Sequence, residues 1–259
     1  MTERDSASLE ASIRYDTIGR GYGNVRREDP VLRARIHSAL RESRSVVNVG
    51  AGTGSYEPLD RYVIAIEPSD VMASQRPEHA PPALRAFAHA LPLRDHAVDA
   101  ALAVMTVHHW DEQQERGVRE LRRVARGPVV IVTIDPRVCS AMWLLADYLP
   151  EAAELIRSIY PAPEQLCAWL GGTSRVEPVL VSHDTPDWSI LSYWAHPERF
   201  LDADARSSTS SIARMPAHVL QRAVEALRAD LDSGAWDRKH GHLRARQAHD
   251  PGWRVIVAT

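Results

Sequence analysis

Residues 46–54 read VVNVGAGTG, a short apolar run that ends in three glycines at alternate positions. Such a run predicts a buried parallel strand, and glycines directly after it let the backbone approach a ligand at the strand's carboxyl end. A second apolar run, YVIAI at residues 62–66, is followed by Glu67. An acid at the end of this second strand can accept hydrogen bonds from a ribose diol. The block therefore predicts a nucleoside-bearing cofactor at the first switch point of an α/β sheet.

The spacing of the glycines distinguishes between cofactors. A dinucleotide site requires G-x-G-x-x-G, but the position of its third glycine is Ser55, and the glycine lies one residue earlier, at Gly54. The chain has no Gly-Lys-Ser/Thr ending of a phosphate-binding P-loop. The remaining pattern, Gly-x-Gly-x-Gly, resembles motif I of the class I S-adenosylmethionine (SAM)-dependent methyltransferases, with Glu67 matching their ribose-binding acid. A glycine triplet can also be only a structural turn, but the acid and the block described next favour a cofactor site.

Residues 91–110, LPLRDHAVDAALAVMTVHHW, carry a second resemblance. They are similar to the stretch LPF-x-D-x-x-F-D, followed by an apolar strand and HH, in the ubiquinone-biosynthesis-like branch of that family. Leu93 and Val98 replace the two phenylalanines of this pattern. Upstream, Tyr15 and Tyr22 lie in a segment that resembles the N-terminal lid of the same branch. The resemblance extends from residue 15 to about residue 134.

The resemblance implies SAM as the cofactor. This sequence departs from the family pattern at two positions that would contact SAM. Asn48 stands where the family usually has an acid, so a hydrogen-bond acceptor is kept without the charge. Phe87 stands where an aspartate often binds the adenine amine, so we expect recognition by stacking and by the backbone at Ala88 and His89. The implied cofactor site comprises Tyr15, Arg20, Tyr22, Asn48, Gly50, Ala51, Gly52, Glu67, Pro68, Met72, Ala88, His89 and Val104.

Strand-like and helix-like patterns alternate along the chain, which predicts right-handed crossovers and a parallel sheet. We expect an α/β fold: a Rossmann-like, seven-stranded, mostly parallel sheet with helices on both faces and a helical cap. The predicted strands are 46–50, 62–66, 84–88, 98–105, 129–134, 176–182 and 253–258, the last of them antiparallel as in the methyltransferase topology. We expect a single domain over 1–259, with an N-terminal lid at 1–28 and cap elements at 136–175 and 184–250.

Composition and sequence patterns argue against several other classes of protein. The chain has 259 residues, of which 44% are hydrophobic and 25% charged, enough for one sizeable core. Its net charge of −3 offers no basic surface for nucleic acid. No apolar run approaches the roughly 20 residues that span a bilayer, and the polar N-terminus is unlike a signal peptide. Two cysteines and no C-x-x-C or H-E-x-x-H pattern predict neither a disulfide framework nor a metal site. We therefore expect a cytoplasmic protein without nucleic-acid or membrane partners, whose oligomeric state is left open.

The candidate catalytic residues are His108 and His109, just after the fourth predicted strand. Carboxyl ends of parallel strands surround the ligand crevice, and histidine titrates near neutrality, so either ring can act as a base toward an acceptor. One ring can instead hydrogen-bond the backbone. We favour His109, and we expect the two side chains to point to opposite sides of an extended segment.

Aromatic residues are concentrated outside the predicted sheet. Five of the seven tryptophans lie between residues 136 and 250, either as the core of a small cap or as walls of an acceptor pocket. In the second interpretation the substrate residues are His183, Trp188, Tyr193 and Trp194.

The sequence thus predicts methyl transfer from SAM to a small-molecule acceptor, apolar or aromatic, with the methylated element (O, N or C) left open. Two alternatives stay open. In one, the chain binds SAM without consuming it, as in a cyclase reaction; in the other, it is a regulatory module with a degenerate pocket.

Overall fold

The computed structural model describes residues 26–259, and its core is a seven-stranded sheet. The predicted lid residues Tyr15, Arg20 and Tyr22 lie outside the described residues. The strands are β1 (Ser45–Val49), β2 (Tyr62–Ile66), β3 (Ala83–Leu84), β4 (Ala100–Val104), β5 (Val129–Ile134), β6 (Ser174–Pro178), β7 (Val181–Ser182), β8 (Ala248–His249) and β9 (Trp253–Ala258).

The order of strands in this sheet is β3-β2-β1-β4-β5-β9-β6. The pairs from β3 to β5 are all parallel, whereas β9 is antiparallel to both β5 and β6. Strands β5 and β9 are buried over their whole length, in keeping with their near-continuous apolar sequences. The predicted Rossmann-like, mostly parallel sheet is confirmed. Because the order reverses between β1 and β4, their carboxyl ends flank a crevice of the kind that binds ligands in such sheets.

Three predicted strands differ from the structure, and the smallest difference is at 98–105, where the strand is Ala100–Val104 and Val98 forms only an isolated bridge to Ala125. The strand expected at 84–88 ends at Leu84, because its only neighbour, β2, ends at Ile66 and the last bond between them runs from Glu67 N to Leu84 O (3.0 Å). The strand expected at 176–182 is divided in two. Its first part, β6, pairs with β9 as far as Pro178, and the chain then turns so that β7 pairs with β8 in a separate two-stranded sheet.

Helices cover both faces of the sheet. The helices are α1 (Pro30–Ala39), α2 (Asp70–Ser74), α3 (Gln114–Val124), α4 (Pro136–Ser140), α5 (Pro150–Ile159), α6 (Pro163–Leu170), α7 (Glu198–Leu201), α8 (Ala203–Ser207), α9 (Ser210–Ala213), α10 (Ala217–Asp232) and α11 (Ala235–His240). Asp29 begins α1 by accepting hydrogen bonds from the amides of Val31 and Leu32, both at 2.9 Å. On one face, α1 packs against alternate strand residues such as Leu102; on the other, α3 and α6 pack against their neighbours such as Ala103.

Most helices after β5 form a layer over the α1 face, which we call the cap: α4, α5 and α7–α11. Its aromatic residues Trp143, Tyr193, Trp194, Phe200 and Trp236 belong to the same buried cluster as α1 and that face of the sheet. Helix α6, predicted within the cap, instead packs with α3 on the opposite face. Within residues 26–259, none of the helices combines the length and apolar character needed to cross a membrane.

Candidate active site

The glycine turn after β1 has a backbone that other residues would not adopt easily. Gly50 has φ +70°, and the amides of Gly50 and Ala51 both donate to Ile66 O, at 2.9 and 3.0 Å, which ties the turn to β2. A Cβ atom on Gly50 would lie 2.0 Å from Oγ1 of Thr106, which follows β4. Gly50 is therefore required both by its left-handed conformation and by the closeness of the neighbouring loop.

Glu67, at the end of β2, is buried and holds the turn from the other side. Its Oε2 accepts a hydrogen bond from Gly52 N (2.8 Å), and its Oε1 accepts one from Ser69 N (2.9 Å). The bonds fix the carboxylate at the cavity wall, where a diol can be recognised.

A buried network beneath the turn was not predicted from the sequence. Asn48 Nδ2 donates to Glu57 Oε1 (2.9 Å), and Arg76 Nη2 donates to Glu57 Oε2 (2.7 Å). Arg76 also donates to the carbonyls of Gly52 (3.3 Å) and Pro81 (3.0 Å). The side chains of Glu57 and Arg76 are each only 4% exposed. No local motif marks this pair, because its members are brought together only by the turn after β1 and the end of α2.

A cavity of about 530 Å³ opens at the carboxyl ends of β1, β2 and β4. Ten of the predicted cofactor residues lie within the described part of the chain, and all ten line it: Asn48, Gly50, Ala51, Gly52, Glu67, Pro68, Met72, Ala88, His89 and Val104. Phe87 also lines the cavity, and its ring is stacked on that of His89 with centroids 5.6 Å apart. The structure thus brings the predicted residues together around one space of a size typical for small-ligand sites.

The two histidines differ in their surroundings. The prediction of an extended segment is wrong: residues Val107–His109 form a 3₁₀ turn, and the centroids of the two imidazole rings lie 3.7 Å apart. His109 lines the large cavity, whereas His108 is 5% exposed and its Nε2 lies 2.9 Å from the hydroxyl of Tyr160. Burial, with further contributions from His109 and Arg214, holds the pKa of His108 well below 6.5. His108 is therefore neutral at physiological pH and a weak base.

A second, smaller cavity of about 60 Å³ lies beside the first. Arg26, Met105 and His109 line both cavities, so the two meet at these residues. The rest of its wall comes from the turn after β4, from β5, from α5 and the residue after it, from the segment before α7, from the link between α8 and α9 with the start of α9, and from β9: His108, Ile134, Ile156, Tyr160, Ser189, Ile190, Leu191, Ser208, Thr209, Ser210, Ser211 and Trp253.

The four residues predicted as walls of the acceptor pocket line neither cavity. Tyr193 and Trp194 are fully buried in the cap, where Trp194 O accepts a hydrogen bond from Trp143 Nε1 (3.1 Å). Trp188 lies under the guanidinium of Arg199. His183 directly follows β7, and its amide donates to Gln247 O (2.9 Å), so it continues the pairing of β7 with β8 and not that of the main sheet. Tyr193 and Trp194 belong to the apolar core of the cap and Trp188 packs against it, whereas residues 189–191 of the same segment line the smaller cavity.

Comparison with known proteins agrees with this geometry. A family model for the methyltransferase domain matches residues 47–132. A solved structure from Anabaena variabilis, provisionally described as a methyltransferase from an antibiotic biosynthesis pathway, is 31% identical over 91% of this chain and 99% of its own, with a TM-score of 0.82. The chain belongs to the class I SAM-dependent methyltransferases. Its cofactor is SAM, and its assignment to the ubiquinone-biosynthesis-like branch stays a prediction.

More distant methyltransferases share the fold. One, a SAM-dependent methyltransferase from Thermotoga maritima, is 23% identical over 68% of this chain and 87% of its own, with a TM-score of 0.50. A phosphoethanolamine N-methyltransferase from Haemonchus contortus, solved with S-adenosylhomocysteine (SAH), is 12% identical over 95% of this chain and 55% of its own, with a TM-score of 0.51. Comparison with proteins of curated function gave no match.

The residues around the large cavity of this methyltransferase fit SAM. Gly50 and Gly52 lack side chains, so a ligand can approach the backbone of the turn. Glu67 lies at the end of β2, the strand next to β1, where a carboxylate can accept hydrogen bonds from a ribose diol. Asn48 lines the cavity, and its Oδ1 is buried without a hydrogen-bond partner among residues 26–259, so it would offer the acceptor that the family resemblance assigns to the methionyl ammonium. The carboxylate that contacts Asn48 is that of Glu57, and it is already paired with Arg76.

Proposed function

We propose that this enzyme transfers the methyl group of SAM to a small-molecule acceptor held where the two cavities meet. The observation that carries this proposal is the shared wall: Arg26, Met105 and His109 border both the cofactor-sized cavity and the smaller one. An in-line displacement requires cofactor and acceptor to face each other across such a junction.

The roles of the residues follow from their positions. SAM supplies an electrophilic methyl group on its sulfonium, so the protein mainly aligns the acceptor and removes its proton where needed. The turn at 50–52 and Glu67 bind the cofactor. His109, at the junction, accepts the acceptor's proton. His108 does not serve as the base, because its imidazolium would be buried beside His109 and Arg214.

The character of the walls supports a small acceptor of largely apolar nature. Ile134, Ile156, Ile190, Leu191 and Trp253 line the smaller cavity and are all at least nine-tenths buried. The net charge of −3 is unfavourable for a nucleic-acid substrate. The description of the Anabaena protein, which places it in an antibiotic pathway, also supports a small molecule rather than a macromolecule as the acceptor.

The test is acceptor-dependent consumption of SAM. The purified enzyme is incubated with SAM carrying a radiolabelled methyl group and with separate panels of alcohols, phenols and amines, and SAH and labelled product are quantified. We expect SAH to form only when an acceptor is present, and His109→Ala to lower the rate. Cofactor that is bound stoichiometrically but never consumed with any panel would contradict methyl transfer and favour a non-reactive use of SAM.

A further inference from the structure

The segment that carries His109 is fastened to the end of helix α5. Tyr160, the residue after that helix, has its hydroxyl 2.9 Å from Nε2 of His108, and the two groups share a hydrogen bond. Both residues are less than 10% exposed, so this bond is shielded from water. Farther along, Gln114 Nε2 at the start of α3 donates to Ile159 O (2.8 Å). The end of α5 therefore holds the segment at two points, one on either side of His109 in the chain.

The ring of His108 contacts the rings of both Tyr160 and His109. Its centroid is 3.9 Å from that of the Tyr160 ring, with the two planes 17° apart, and 3.7 Å from that of the His109 ring, with the planes 46° apart. His109 lines both cavities, whereas His108 and Tyr160 line only the smaller one. A side chain packed against a fixed neighbour is itself held in one orientation. The contacts thus lead from the end of α5 to the imidazole at the junction.

The charge of His108 matters to the same contact. Its burial, with further contributions from His109 and Arg214, holds its pKa well below 6.5, so the ring is neutral at physiological pH. Two charged imidazoles at this separation would repel each other. A neutral ring beside His109 therefore allows His109 to take up a proton from an acceptor, and it supplies contact without an opposing charge.

Resting on the proposed function, we propose that Tyr160 and His108 are positioning residues for the methyl-transfer reaction. The hydroxyl of Tyr160 fixes the ring of His108, and that ring holds the imidazole of His109 toward the junction of the two cavities. Neither Tyr160 nor His108 exchanges a proton with the acceptor. The cap, whose helix α5 ends at Tyr160, thereby sets the orientation of the base.

Tyr160→Phe is the informative variant, because it removes the hydroxyl and keeps the ring. With an acceptor found in the panels above, we expect it to lower kcat by about 3- to 10-fold, the effect of one lost hydrogen bond. The KM for the acceptor and the affinity for SAH should be nearly unchanged. His108→Phe should have a similar effect, and the double variant should be no slower than either single variant, because the two side chains act as one unit.

Tyr148→Phe is the matched control. Tyr148 is as buried as Tyr160, each being 8% exposed, and its hydroxyl donates to Asp230 Oδ2 (2.6 Å) within the cap, but it lines neither cavity. The control should lose stability and keep its kcat. Circular dichroism and SAH affinity show that each variant is folded before rates are compared.

Nitrogen NMR of the histidine rings, in the enzyme saturated with SAH, tests the same contacts without an acceptor. The signals of His108 and His109 are assigned by their absence in His108→Phe and His109→Ala. In the wild type we expect His109 to give one sharp set of signals, from a single ring orientation. In Tyr160→Phe we expect that set to be broadened or doubled, and in Tyr148→Phe to be unchanged.

An unchanged His109 spectrum in Tyr160→Phe would overturn the proposal. Additive losses of kcat in the double variant, or an equal loss of kcat in Tyr148→Phe, would overturn it as well, because the effect would then be one of general packing. If the spectra change as expected while no acceptor in the panels is methylated, the positioning contacts stand and the proposed function fails.

Discussion

Replacing Arg76 by methionine removes the positive half of the ion pair that lies beneath the glycine turn. The guanidinium bonds to Glu57 Oε2 at 2.7 Å and donates to the carbonyls of Gly52 and Pro81, and both charged side chains are 4% exposed. Loss of one partner leaves the carboxylate of Glu57 buried and uncompensated, which costs about 3–5 kcal/mol. A domain of ordinary stability, about 5–15 kcal/mol, would stay folded but with a small margin.

The assay is urea denaturation together with calorimetric titration of SAH. We expect Arg76→Met to lower the free energy of unfolding by about 3–5 kcal/mol and to weaken SAH binding, because Gly52 O loses a donor that fixes the turn. Arg119→Met is the control: its pair with Glu115 is exposed, so its loss should cost about 0.5 kcal/mol or less and leave SAH affinity unchanged.

A double variant separates the burial of charge from the loss of packing. In Glu57→Gln with Arg76→Met the uncompensated charge is gone, so the double variant should be more stable than Arg76→Met alone. If Arg76→Met lowers the free energy of unfolding by less than about 1 kcal/mol, the pair does not support the turn through a buried charge interaction. The same conclusion would follow if the effects of the two substitutions on that free energy were strictly additive in the double variant.

Three further predictions concern individual residues. Glu67→Ala should weaken SAH binding by about 30-fold or more, the loss of two hydrogen bonds to a charged acceptor; calorimetry that shows unchanged affinity in the folded variant would refute its role. His109→Ala should lower turnover by about 10²- to 10⁴-fold with SAH affinity nearly unchanged, and wild-type rates in that variant would mean that alignment alone drives the transfer. His108 binds its proton less readily when folded than unfolded, so the folded state loses stability as the pH falls below about 6.5, by up to about 1.4 kcal/mol per pH unit. His108→Gln should be less sensitive to acid over this range, as thermal denaturation at pH 5.5–7.5 can show, and an equal sensitivity would contradict its burial as a neutral ring.

The sheet could be predicted well from the sequence because each central strand is marked by a local pattern of residues. Residues 129–134 and 253–258 are apolar runs with clear ends, and they form strands with those bounds. Gly50 and Glu67 were predictable because a turn with positive φ and an acid after the next strand are local features too. The strand at 84–88 was overestimated because its length is set by β2, the neighbouring strand, and not by its own composition.

The details of the site depend on contacts between distant residues. Glu57 and Arg76 are 19 positions apart, and His108 and Tyr160 are 52 positions apart, so neither pair leaves a pattern in the sequence. Tyr193 and Trp194 were misplaced for another reason: a buried aromatic residue has the same local sequence whether it fills a core or lines a cavity. Only the packing of the cap shows that both belong to its core.

The central claim is that the cavity beside the glycine turn holds SAM with its reactive end toward the junction of the two cavities. The most direct measurement is a crystal structure of the enzyme with SAH. We predict both ribose hydroxyls within about 3 Å of the Glu67 carboxylate and the sulfur facing the space bordered by Met105 and His109. A complex with the ribose away from Glu67, or with the sulfur facing away from that junction, would contradict the account.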